Sequence, residues 1–270
     1  MRYVTVLSVA GSDCSGGAGL QADIKTVSAL GCYAASAVTA VTAQNSRGVR
    51  SVLPVPAEMV RAQLEAVADD MEIDAVKIGM LAREDVIAAV ADFIETRQLP
   101  VVLDPVLVSS SGFPLLEPTA VDLLCARLLP LATLVTPNLP ESELLAGMEA
   151  IGRGQMEEAG RKIVAKGCRA ALVKGGHLKG TDMTDVLVDS EGDVSVFRAD
   201  KVETKNNHGT GCALSSAVAA YLARGFALKE AVERAKAYVC AALSAGKDVN
   251  AGKGHGPMDH FFNPHKLIIK

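Results

Sequence analysis

The sequence predicts an α/β fold in which a central, mostly parallel β-sheet carries helices on both faces, built as one domain over residues 1–270. Three observations predict it. Short β-branched runs alternate with longer segments whose apolar residues recur at three-to-four spacing, the order of strands joined by crossover helices. A length of 270 residues suits a single α/β domain with one extended core. Hydrophobic residues make up 49% and charged residues 21%, which supplies ample apolar surface to bury and excludes a disordered chain.

In chain order, strands are expected at residues 3–9, 36–42, 75–78, 101–103, 134–136 and 170–173. Helices are expected at residues 19–30, 57–70, 84–97, 119–129 and 155–166, each with solvated charges between its apolar positions. After Gly175 the pattern changes to a hairpin, 185–189 and 194–198, around Glu191, Gly192 and Asp193. Two helices, 210–224 and 229–245, then close an α-rich end. The Gly-rich stretch 246–256 reads as an ordered loop, and there is no internal repeat or long linker.

The balance of 27 basic and 31 acidic residues, a formal charge of -4, argues against nucleic acid and anionic membranes as partners. Six cysteines are scattered without a CxxC pair, which points to a reduced, cytoplasmic protein. No apolar run reaches membrane-spanning length.

The strongest local signal is His208-Gly209-Thr210-Gly211-Cys212 at the start of an Ala/Ser-rich helix. Two glycines around a threonine let backbone N–H groups approach an anion, which the helix dipole favours. The alternative is an ordinary helix cap by Thr210. Cys212 sits where a helix N-terminus lowers a thiol pKa and frees a base or nucleophile, although cysteine also serves as a small packing residue.

Between the first strand and first helix, residues 11–19 carry four glycines but neither the Lys-Ser/Thr of a Walker A loop nor dinucleotide spacing. Such a loop shapes a ligand site at a strand's carboxyl end, with Asp23 one turn into the next helix as a hydrogen-bonding candidate or a solvated carboxylate. Asp104, Asn138 and Glu141 follow two further strands. Carboxylates converging there suit Mg²⁺ bridging nucleotide phosphates, though each can simply cap a helix. Lys174-Gly175-Gly176-His177 ends another strand in an ammonium within reach of a phosphate.

Together with residues 9–13, 15–19, 21–23, 39–46, 77–81, 104–106, 136–138 and 254–260, these motifs resemble the hydroxymethylpyrimidine/phosphomethylpyrimidine kinases of thiamine biosynthesis, a branch of the ribokinase-like superfamily. The resemblance spans nearly the whole chain. It implies two ATP-dependent phosphorylations, of the hydroxymethylpyrimidine and then of its monophosphate, in a cytoplasmic homodimer. It also implies that Gly11, Asp23, Gln44, Met80 and Val106 line the pyrimidine pocket, where the Gln44 amide offers a donor and an acceptor.

Asp104 and Glu141 would hold Mg²⁺, while Asn138, Lys174, Thr204, Thr210 and Lys236 surround ATP. Gly209, Gly211, Cys212 and Lys174 would act on the transferring phosphoryl. The superfamily's usual aspartate base is replaced by Cys212, which argues against a sugar kinase and leaves open whether the thiol takes the proton or shapes the anion hole. Cys14 stands where proline is expected. A pyridoxal kinase, a dual-specificity enzyme and a non-catalytic pyrimidine-binding regulator are the competing readings. Residues 246–256 and the segment after Gly176 are candidate lids.

Overall fold

The computed structural model describes all residues except 109–112, 114, 118, 151 and 177–181. The described strands are β1 (Thr5–Asp13), β2 (Tyr33–Asn45), β3 (Gly48–Pro54), β4 (Ala75–Ile78), β5 (Val101–Leu103), β6 (Leu134–Val135), β7 (Ala170–Lys174), β8 (Asp182–Asp189) and β9 (Val194–Asp200). They form one sheet in the order β3-β2-β1-β4-β5-β6-β7-β8-β9. The six central strands from β2 to β7 run parallel, whereas β3, β8 and β9 pair antiparallel at the two edges.

Strand side chains alternate between two apolar layers, so the parallel strands are buried on both faces and read as nearly unbroken hydrophobic runs. Val6, Ala75, Val102, Leu134 and Leu172 face α1 (Gly19–Ala29), α7 (Thr210–Ala223) and α8 (Leu228–Gly246). Leu7, Val76, Leu103, Val135 and Ala171 face α2 (Ala57–Asp70), α3 (Glu84–Glu95) and α4 (Ala120–Arg127). Val173 and Val186 pack under α5 (Leu139–Ala146) and α6 (Arg153–Val164). Among the described residues no helix is long and apolar enough to cross a membrane.

The structure adds two elements to the expected pattern. Strand β3 is an edge strand with exposed Arg50 and Ser51, so it lacks the apolar run of a central strand. Helix α5 has eight residues and opens on a capping box in which Asn138 accepts from the Glu141 N–H while Glu141 accepts from the Asn138 N–H. The expected helix 119–129 ends at Arg127, because Pro130 follows and the chain turns through a short 3₁₀ segment, Leu129–Leu131.

Strand β1 has β2 on one side and β4 on the other, so the chain reverses its direction of sheet growth there. Such a switch point opens a crevice beyond the strands' carboxyl ends.

Candidate active site

A cavity of ≈ 930 Å³ lies at those carboxyl ends. Its ring-sized apolar side is built where β1, β2, β4 and β5 end. Gly11, Gln44, Met80 and Val106 all line it. Met80 and Val106 share a small apolar cluster with Ala40. A Cβ on Gly11 would stand 3.0 Å from the Met80 Sδ, so the missing side chain is what lets the thioether approach the strand. The Met80 carbonyl is fixed in turn by the Thr39 hydroxyl at 2.5 Å.

Other lining residues are polar. Asp104, just past β5, accepts from Lys174 Nζ at 2.9 Å and from the Thr136 hydroxyl at 3.0 Å. Asn138 and Glu141 also line the cavity from the start of α5, where the helix-cap reading of both residues holds. Burial, reinforced by Asp104 and opposed by Lys174, pushes the Glu141 carboxyl up to about 7. Burial also works against the charges of Asp104 and Lys174, yet each holds the other ionised: the Asp104 pKa falls and the Lys174 pKa rises.

Gly209, Thr210, Gly211 and Cys212 line the cavity as the first turn of α7. The cap residue is Gly209, at φ 79°, and not Thr210, whose hydroxyl donates to the Asn207 carbonyl at 2.7 Å. A Cβ on Gly211 would lie 3.3 Å from Lys174 Nζ, so backbone and ammonium converge on one spot where an anion can bind. Replacing Gly209 by alanine forces a side chain into the left-handed region with its Cβ 1.9 Å from the Gly17 carbonyl oxygen. The expected result is a loss of kcat of about tenfold or more, read in a coupled ADP assay, because the turn cannot keep its shape.

Two sequence expectations are corrected here. The helix N-terminus does not activate Cys212. The residue is half-buried on the cavity lining, and desolvation of the thiol pushes it up to about 11, a rise that nearby Lys77 only partly offsets. Asp23 is not on the cavity wall. It is fully buried beneath it, accepting from Ser8 at 2.6 Å, from Ser216 at 2.7 Å and from Lys77 Nζ at 2.8 and 2.9 Å. Asp23 faces the sheet from α1, and its partner Lys77 lies at the cavity lining with its ammonium committed to the carboxylate.

Lys236 and Thr204 also line it, with their polar atoms engaged by protein. Lys236 Nζ pairs with Asp185 at 2.6 Å, and the Thr204 hydroxyl donates to the Lys247 carbonyl at 2.9 Å. The loop after α8 is tied down, with the Gly254 N–H on the Ser46 hydroxyl and the His255 N–H on the Ser46 carbonyl. His177 and the residues after it up to 181 lie outside the described residues. Among the described residues no group of three or more His, Cys, Asp or Glu side chains is placed to hold a metal. Sequence reasoning assigned no role to Lys77, Asp13 or His208, all of which line the cavity.

A parallel sheet with an apolar ring site and an anion-binding helix turn in one crevice defines a small-molecule kinase of the ribokinase-like class. The family model for phosphomethylpyrimidine kinase matches residues 13–259. The hydroxymethylpyrimidine/phosphomethylpyrimidine kinase of Rhizobium meliloti is 52% identical over 257 residues, covering 94% of this chain and 96% of that one. Among solved structures, an ADP complex of Bacillus subtilis pyridoxal kinase superposes with a TM-score of 0.87 at 38% identity, covering 96% of this chain and 98% of that one. A phosphomethylpyrimidine kinase from Clostridium difficile superposes at 0.79 with 40% identity, covering 88% and 99%. The chain belongs to the phosphomethylpyrimidine kinase family.

Proposed function

We propose that the chain, working as one kinase domain, transfers the γ-phosphoryl group of ATP first to the hydroxymethyl group of 4-amino-5-hydroxymethyl-2-methylpyrimidine and then to the resulting monophosphate, for thiamine diphosphate synthesis. The observation that carries this reading is the placement of an amide-bearing apolar ring site and the Lys174–Gly211 anion site in one cavity. The Met80 and Val106 wall takes the flat ring, and Gln44 hydrogen-bonds its edge. Beside it the first-turn amides of α7 and the Lys174 ammonium meet the phosphoryl oxygens, where positioning and charge neutralisation lower the barrier. Asn138, Thr204, Thr210 and Lys236 line the nucleotide side, with the Lys236 charge held in place by Asp185.

Asp104 and Glu141 fit Mg²⁺. Both are hard oxygen donors on the cavity lining, close enough for the charge of Asp104 to act on Glu141. Bound there with ATP, the cation supplies charge neutralisation at the phosphates. The protonated thiol of Cys212 acts as a hydrogen-bond donor on the cavity wall rather than as a base.

A cytoplasmic homodimer completes the reading. Pyridoxal is the second candidate substrate, supported by the similarity to the Bacillus subtilis pyridoxal kinase.

The product series tests the two-step reaction. Incubation of the pyrimidine with Mg-ATP, followed by ³¹P NMR, should show a monophosphate that gives way to a diphosphate; arrest at the monophosphate would contradict the second step. Changing Gln44 to leucine should raise KM for the pyrimidine by about tenfold or more with KM for ATP unchanged. An unaltered pyrimidine KM would place the ring elsewhere.

A further inference from the structure

Three residues from three elements meet at one edge of the cavity. Asp13 ends β1, Gln44 lies on β2 and His208 precedes α7. A single ring nitrogen, His208 Nε2, lies 3.0 Å from Asp13 Oδ2 and 3.1 Å from the Gln44 amide nitrogen, Nε2. Asp13 is 3% exposed. Its carboxylate also accepts from the Ser15 hydroxyl and from the backbone N–H groups of Ser15, Gly17 and Ala18. Burial opposes the charge, but the His208 ring and these donors hold the Asp13 carboxyl well below the usual carboxylate range.

An ionised carboxylate only accepts, so His208 must carry its hydrogen on Nε2. A nitrogen that carries a hydrogen in the ring plane has no lone pair to offer. The Gln44 NH₂ group that stands there therefore cannot donate to it, and the hydrogen-bond network assigns the two amide atoms the other way round, with the oxygen on His208. The NH₂ group is left for a ligand.

The ring has little room to turn away from this arrangement. A Cβ on Gly17 would lie 2.3 Å from His208 Cδ2, so the imidazole rests against bare backbone. On the next residue, a Cβ on Gly209 would lie 1.9 Å from the Gly17 carbonyl oxygen. The loop after β1 and the turn before α7 thus clamp the histidine between them.

We propose that Asp13 and His208 are positioning residues that hold the Gln44 amide in one orientation, oxygen on His208 and NH₂ offered to the substrate, so that the site selects a ring bearing an acceptor nitrogen at that edge. This inference rests on Gln44 as the ring-binding residue. The same clasp joins the ring site to the phosphate turn, because His208 adjoins Gly209 in the chain.

Three measurements test it. In wild-type protein labelled with ¹⁵N-histidine, the His208 imidazole should show hydrogen on Nε2 at neutral pH; an Nδ1-protonated tautomer would overturn the proposal without any variant. In steady-state kinetics, H208A and Q44L should each raise KM for the pyrimidine about tenfold, and the double variant should be no worse than Q44L alone. The two pyrimidine analogues in which one ring nitrogen is replaced by CH provide the chemical counterpart. One of them should lose about tenfold or more in kcat/KM with wild type and only a few-fold with H208A.

A double variant whose KM rises about a hundredfold would show independent effects and refute the positioning role while leaving Gln44 in the ring site. An unchanged KM in Q44L would refute the ring-site assignment itself, and with it the proposal.

Discussion

Replacing Cys212 by alanine should lower kcat by about 10²–10³ while leaving ATP affinity within about twofold, because the change removes a donor from the cavity lining beside the Gly209 turn and leaves the residues proposed for the nucleotide intact. Serine at this position should recover most of the rate. The thiol is pushed up to about 11 by burial, so it is protonated across the neutral range, and a hydroxyl reproduces its donor. A thiolate base would behave differently: kcat would climb with pH towards 11, and serine would be as poor as alanine. The expected profile has no such climb between pH 7 and 9. Rates of C212A and C212S against pH, with isothermal titration of a non-hydrolysable ATP analogue, check both halves of the expectation.

Replacing Lys77 by methionine should cost about 3–5 kcal/mol of stability, since it strands Asp23 as an uncompensated buried charge. Both side chains are fully buried, and the pair ties β4 to α1, with Ser8 of β1 and Ser216 of α7 completing the carboxylate's partners. Removing both charges, as in K77M with D23L, should recover much of the loss, because an apolar pair avoids desolvating two ions. Urea unfolding of the three proteins reads the difference directly. A single K77M variant as stable as the wild type would mean that the ion pair contributes nothing to the union of sheet and helices. Lys77 also lines the cavity and opposes the burial of Cys212, so K77M should lower activity even at temperatures where it remains folded.

The parts of the fold that follow from local chain chemistry were legible in the sequence. Parallel strands buried on both faces are recognisable from short β-branched runs such as Val101–Leu103, and helix α3 from the apolar stripe that includes Val86, Ile87 and Val90. Strand β3 was not legible, because an edge strand carries polar residues such as Arg50 and Ser51 and gains its hydrogen bonds from a partner rather than from its own pattern. The Gly209 turn was visible as a motif, and so were the strand-end positions of Asp104 and Lys174. Their ion pair joins residues 70 apart in sequence, which spacing cannot encode.

The electrostatic expectations failed for the same reason. A helix N-terminus lowers a thiol pKa only where water or a cation stabilises the thiolate, and at Cys212 desolvation, with Asp23 and Asp104 nearby, outweighs Lys77. Asp23 read as a ligand or solvated carboxylate because nothing near it in sequence announces Lys77, 54 residues on. Asp13 drew no role of its own within the 11–19 loop, because its contact with His208 spans 195 residues. A lysine inside an otherwise apolar strand was the one local sign of a buried partner.

The most direct test of the central claim is a coupled ADP-release assay that compares kcat/KM for hydroxymethylpyrimidine, its monophosphate and pyridoxal under identical Mg-ATP. Turnover on both pyrimidines, each exceeding pyridoxal, is the predicted result; turnover on pyridoxal alone, or on none of the three, would contradict the account.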